Sequence, residues 1–141
     1  MSSRIVHGTA VAVDGRGVLL LGPSGAGKSD VALRLIDGGA VLIADDRTIV
    51  AADGDCLLAC PPPTIAGRIE ARGVGILALP YAEAVPLALA VQLGPPPERL
   101  PSTPAHYDMH GVALPLIHVD PRAPGAAALV RLALKHPRVS P

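Results

Sequence analysis

Apolar and polar positions alternate with a period of two from Ile5 to Val13, which predicts a strand, and Asp14-Gly15-Arg16-Gly17 supplies the turn residues of a hairpin. Val18 to Leu21 runs back as a second, wholly apolar strand. The period then lengthens. Asp30 to Asp37 reads as a short amphipathic helix stopped by Gly38-Gly39, and Ala40 to Ala44 as a buried strand that delivers Asp45 and Asp46 at its carboxyl end. Thr48 to Ala52 continues extended to the Asp53-Gly54 turn and is followed by Cys56 to Ala59. Gly75 to Leu79 and Leu87 to Leu93 are further apolar strands. Gly94 to Pro104, rich in proline, predicts an excursion without regular structure. Val112 to Val119 reads as the last strand and Gly125 to His136 as a closing amphipathic helix. No internal repeat or low-complexity tract interrupts the series.

This order predicts one α/β domain over residues 1–141, with a mixed sheet because a hairpin precedes the first helix. Of the 141 residues 50% are apolar, yet Phe and Trp are absent, so Leu, Ile, Val and Ala must fill the core. Twelve basic residues balance twelve acidic ones without a basic stripe, which argues against nucleic acid or an anionic membrane as partner. The first residues show no signal-peptide pattern and the apolar runs are too short to span a bilayer, so a cytoplasmic protein is expected. Cys56 and Cys60 lack a second thiol pair and read as packed thiols rather than a zinc site or disulfide. His106 and His110 have the spacing of one helix face, but they follow a proline-rich loop and no glutamate accompanies the first, which disfavours a metal site.

The strongest chemical signal is Gly22-Pro23-Ser24-Gly25-Ala26-Gly27-Lys28-Ser29, an ungapped match to the phosphate-binding pattern G-x-x-x-x-G-K-[ST] between a predicted strand and a predicted helix. Glycines at 22, 25 and 27 allow the tight turn that aims backbone N–H groups at phosphate oxygens, and the helix presents its positive end to the same anion. Lys28 would reach the β- and γ-phosphates, and the Ser29 hydroxyl would ligate Mg²⁺. The chain has only one other lysine, Lys135. ATP is therefore the expected nucleotide and Mg²⁺ the expected metal. Asp45 and Asp46 arrive too soon after Lys28, and on the wrong strand order, for an ordinary nucleotide-switch or small-molecule-kinase fold.

His7-Gly8, the loop Gly22 to Ser29, Leu42-Ile43-Ala44-Asp45-Asp46-Arg47 and Ile69-Glu70-Ala71-Arg72-Gly73-Val74-Gly75-Ile76 occur in the order and spacing of the catalytic domain of HPr kinase/phosphorylase. The chain resembles that family most clearly from Ile5 to Leu79. The resemblance implies a compact form with only the catalytic domain, and a P-loop fold akin to the nucleotide-binding core of phosphoenolpyruvate carboxykinase. It implies a regulatory enzyme that transfers the γ-phosphoryl of ATP to a serine of the phosphocarrier protein HPr, can reverse the transfer by phosphorolysis, and assembles as a homo-oligomer. By motif position Asp46 looks like the base that takes the serine proton and His7 like its neighbour. Ser29 and Glu70 look like Mg²⁺ ligands, and Arg72 lies in the E-x-R-G signature lining the same site. Arg99-Leu100 resembles a later R-L element whose arginine is catalytic. The family's phosphorolysis loop is nearest to Val119 to Ala127, where Ala126 replaces its arginine, so kinase activity is the safer expectation.

Phosphoryl transfer to a hydroxyl needs a cradle and cation for the nucleotide, a carboxylate near the incoming O–H, and positive charge around the transferring group. Each part is available here. Two other readings remain: a P-loop small-molecule kinase, and a non-catalytic nucleotide-binding sensor that signals through a docking loop such as Gly94 to Pro104.

Overall fold

The first strand, β1 (Ser3–Val13), is the element around which the computed structural model of the protein is arranged; the structure describes residues 2–97, 99, 103–136 and 138–139. After it come β2 (Arg16–Leu21), α1 (Lys28–Asp37), β3 (Val41–Ala44), β4 (Arg47–Asp53) and β5 (Cys56–Cys60). A 3-10 turn (Pro63–Ile65) leads to the hairpin β6 (Arg68–Ala71) and β7 (Gly75–Ala78), then β8 (Val85–Leu93), β9 (Ala105–Met109), β10 (Val112–Val119) and α2 (Ala126–Lys135). The predicted opening hairpin is present. Val13 pairs with Arg16, and the two turn residues, Asp14 at φ 51° and Gly15 at φ 78°, have the left-handed backbone that a two-residue hairpin turn requires.

The sheet is mixed, as expected. β2, β8 and β10 are neighbours and parallel, whereas β1 pairs antiparallel with β2, β3 and β4. Because β4 pairs with β5 and β5 with β8, strands β1, β4, β5, β8 and β2 close a ring. Its interior is filled by small and branched aliphatic side chains, among them Ala10, Leu19, Ile43, Val50, Leu57 and Ala59. The interior holds no Phe or Trp because the chain has none. Helices α1 and α2 cover the opposite face, where Val11, Val18, Leu20 and Val91 meet Val31, Leu35 and Val130.

Strand β8 serves both cores through one irregularity. Leu87 lies opposite Gly17 but Leu89 opposite Val18, so Ala88 is an extra residue, and the side-chain parity reverses there. Before it, Val85 and Leu87 point into the ring; after it, Leu89, Val91 and Leu93 face the helices.

Several expectations are corrected. β6 and β9 were not predicted, and His106 lies on β9 while His110, at φ 51°, and Gly111 form the β9–β10 turn, so the two histidines share no helix face. Cys56 is exposed rather than packed; Cys60 is half-buried and accepts a hydrogen bond from the Ala84 N–H. Residues 98 and 100–102 of the proline-rich excursion lie outside the described residues. Among those described, no helix is long and apolar enough to cross a membrane.

The two helices give a direct check on this packing. Leu35 of α1 is 0% exposed in the helix-side core, whereas Leu132 of α2 is 55% exposed. Leu35→Ala is expected to lower unfolding free energy by about 2–5 kcal/mol, and Leu132→Ala to stay within about 0.5 kcal/mol, both measured by urea denaturation.

Candidate functional site

The parallel strands β2 and β8 and β10 end at one edge of the sheet, at Leu21, Leu93 and Val119. β3 shares their direction, since both β2 and β3 run antiparallel to β1, so Ala44 ends at that edge too. Segments leaving the carboxyl ends of parallel strands are where α/β sheets build ligand sites, and the glycine-rich loop and the Asp45-Asp46 corner both leave from there.

The loop Gly22 to Ser29 turns tightly: the Ala26 N–H donates to the Pro23 carbonyl at 3.0 Å, and Gly25 and Gly27 have φ of 82° and 99°. Side chains at these two positions would be strained, which accounts for glycine. Gly27 caps α1, whose first N–H groups have no partner within the helix and form an anion-attracting end. Lys28 is only 7% exposed, and its Nζ donates to the carbonyls of Gly22 (2.6 Å) and Pro23 (3.1 Å). An ammonium has three donors, so one remains for an anion on the loop.

Asp45 joins this loop to two other elements. Its Oδ1 accepts hydrogen bonds from the hydroxyls of Ser29 (2.7 Å) and Thr9 (3.1 Å), and its Oδ2 accepts one from the Glu70 backbone N–H (3.1 Å). The next residue, Asp46, has φ 67°, and its N–H donates to the Thr9 hydroxyl oxygen at 3.0 Å. The turn leaves the Asp46 side chain exposed at a cleft of about 300 Å³ lined by Asp45, Asp46, Arg47, Ile65, Arg68, Ile69, Glu70 and Ile76.

Of the residues expected at the site, Asp46 and Glu70 line the cleft, Ser29 is linked to Glu70 through the Asp45 carboxylate, and Lys28 is turned onto the carbonyls of its own loop. His7 pairs with Arg47 across β1 and β4, one residue beyond Asp46, and is exposed. Gly8 beside it is required sterically, because a Cβ there would stand 2.9 Å from the Leu20 carbonyl oxygen. Arg72 is exposed in the turn between β6 and β7 and does not line the cleft. Arg99 is exposed in the segment after β8, also outside the cleft lining, and Leu100 lies outside the described residues. Sequence reasoning missed the central place of Asp45, the hydroxyl of Thr9, and the cleft arginines Arg47 and Arg68. Arg47 follows the aspartate pair directly and could have been found from that; nothing local marks Thr9.

Ser29, Asp45 and Glu70 are hard oxygen donors, the kind that suits Mg²⁺. Among the described residues no group of three or more His, Cys, Asp and Glu side chains forms a ready-made metal cage. Mg²⁺ is usually held by one or two carboxylates together with water and substrate phosphates.

Residues 1–82 match the family described as HPr Serine kinase C-terminal domain. An HPr kinase/phosphorylase of Caldicellulosiruptor bescii is 36% identical over 132 residues, which is 84% of this chain and 42% of that protein. One from Enterococcus faecalis is 49% identical over 73 residues, 51% of this chain and 24% of that protein. The chain therefore spans less than half the length of these curated relatives. In fold it is similar to the Hpr(Ser) kinase/phosphatase of Coxiella burnetii, with a TM-score of 0.77 at 24% identity over 90% of this chain and 91% of that one.

Removing the carboxylate that three donors share leaves each of them without its partner. Asp45→Ala is expected to destabilise the protein by about 1.5–3 kcal/mol, whereas Asp46→Asn, altering an exposed side chain, should stay within about 0.5 kcal/mol. Chemical denaturation of the two variants checks the contrast.

Proposed function

The chain belongs to the HPr serine kinase C-terminal domain family, and on that premise we propose that it transfers the γ-phosphoryl group of ATP to a serine hydroxyl of the phosphocarrier protein HPr. The observation that carries the reading is the Asp45 carboxylate, which ties the glycine-rich loop through Ser29 to the cleft wall through Glu70, with Asp46 open to the cleft beside it.

In this reading the backbone of Gly22 to Gly27 and the amino end of α1 hold the phosphates, and the remaining Lys28 donor neutralises a phosphate oxygen. Ser29 and Glu70 would hold Mg²⁺, which when bound supplies charge neutralisation for the phosphates. Asp46 accepts the proton of the incoming serine hydroxyl as its oxygen attacks, with His7 as neighbour. Arg47 and Arg68 bring positive charge to the cleft wall.

The reverse, phosphorolytic reaction is the weaker half. The β10–α2 segment does approach the loop, since a Cβ on Gly27 would stand 3.2 Å from Pro121 Cβ. Ala126, however, is fully buried in the helix-side core, so that position does packing work and brings no charge. Arg122, exposed, is the cation of this segment.

The reading is tested by incubating the protein with labelled ATP, Mg²⁺ and HPr. Label on an HPr serine supports it; label on a small metabolite favours a small-molecule kinase, and nucleotide binding without transfer favours a sensor. Two variants refine the assignment. Asp46→Asn keeps shape but cannot take the proton, so transfer should fall by about 10²- to 10⁴-fold with nucleotide affinity nearly unchanged, and more than in Asp45→Asn; the reverse order would move the base to Asp45. Glu70→Gln exchanges a carboxylate for a poorer ligand of a hard cation, so nucleotide titrations should require more Mg²⁺; identical titrations would remove Glu70 from the metal.

A further inference from the structure

Strands β3 and β4 are one strand interrupted. Ala44 lies opposite Ala10 and Arg47 opposite His7, so the register of β4 on β1 extends across the gap as far as Ala44, beyond which β3 is offset by one residue, and Asp45 and Asp46 fall opposite Thr9 and Gly8. A ladder broken inside a protein leaves backbone groups that must find other partners. Here two buried hydroxyls take the place of the missing ladder: the Asp46 N–H donates to Thr9 Oγ1 (3.0 Å), and the Gly8 carbonyl accepts from Thr48 Oγ1 (3.0 Å). Both threonines are 0% exposed.

We infer that Thr9 is the positioning residue for the two-aspartate corner, holding Asp46 in its left-handed turn so that the Asp46 carboxylate faces the cleft while Asp45 is turned back onto Ser29. The inference rests on the kinase reading above. The hydroxyl is used twice, its proton on Asp45 Oδ1 and its oxygen accepting from the Asp46 N–H. The two aspartates depend on it unequally. Without it, Asp45 still accepts from Ser29 and Glu70, so its orientation survives. Asp46 loses the partner of its N–H, and the left-handed turn is then held only from its far side, by the Arg47 N–H donating to the Asp45 carbonyl at 2.7 Å. If Asp46 relaxes towards an extended backbone, its carboxylate is no longer presented to the cleft as it is now.

Thr9→Val removes the hydroxyl at nearly constant shape and keeps a β-branched side chain in β1; Thr9→Ser removes the methyl and keeps the hydroxyl. With ATP, Mg²⁺ and HPr, Thr9→Val should lower kcat by about 10- to 100-fold, with KM for ATP changed less than about threefold because the loop, Ser29 and Glu70 are untouched. Thr9→Ser should stay within about threefold of the parent in kcat. Hydrogen exchange of the Asp46 amide should quicken in Thr9→Val and not in Thr9→Ser. Unchanged kcat and unchanged Asp46 exchange in Thr9→Val would overturn the inference, as would a Thr9→Ser variant as impaired as Thr9→Val, since the methyl and not the hydroxyl would then be what matters. If the parent protein transfers nothing to HPr, the kinase reading fails, and the amide exchange of the two variants still decides whether the hydroxyl holds the corner.

Discussion

Strand β1 pairs along both edges of its second half and along one edge of its first half, each with a different partner, and that constraint organises the molecule. Its second half pairs with β2 on one side and β3 on the other, and its first half pairs with β4. Since every buried N–H and C=O needs a partner, the directions of β2 and β3 are fixed relative to each other once both are antiparallel to β1. The glycine-rich loop and the aspartate corner must then leave from the same edge. The parallel addition of β8 to β2, and of β10 to β8, brings two more segments to that edge. What looks in the chain like separate motifs is one row of strand ends.

The ring formed by β1, β4, β5, β8 and β2 reflects the composition. Ala, Val, Leu and Ile fill its interior, in a chain that carries neither Phe nor Trp, and Tyr107 packs against it from outside the fully buried set. The helix side is closed instead by long-range polar contacts to the helix ends. Arg131 donates to the Arg34 carbonyl at 3.1 Å, Arg34 to the Ala123 carbonyl at 3.2 Å, and Arg16 to the Leu134 carbonyl at 2.9 Å. These bonds fix α1, and with it Lys28 and Ser29, against the rest of the helix side.

Much of this was legible in the residues. The opening hairpin, the loop at Gly22 to Ser29, the strand ending at Asp45 and the closing helix follow from strong local patterns: long apolar alternation, glycine at left-handed turns, and a change of period. β6 and β9 escaped because they are short: Arg68-Ile69-Glu70-Ala71 and Ala105-His106-Tyr107-Asp108-Met109 do alternate, but over only four and five residues. Their strand character comes from the antiparallel partners β7 and β10. The four-residue spacing of His106 and His110 carries little weight by itself, since it looks helical whether or not a turn intervenes, and here a turn does. Thr9 was invisible because its importance comes from residues 36 and 37 positions away in sequence, across a gap in a neighbouring strand. Local pattern reports which residues can form an element; it does not report where a ladder is deliberately broken.

The hairpin β6–β7 stands apart from the main sheet as a pair of four-residue strands. Two strands alone are marginally stable, and this pair is anchored by Ile69 and Leu77 against the helix-side core and by the Glu70 N–H donating to the Asp45 carboxylate. Ile76 and Val74 are exposed on it. Such a unit can open while the ring and helices stay folded. Because Glu70 belongs to it, each opening withdraws one wall of the cleft and one oxygen donor together. Heat should therefore silence the molecule in two stages, with function lost in a reversible local melting below the temperature at which the sheet itself comes apart.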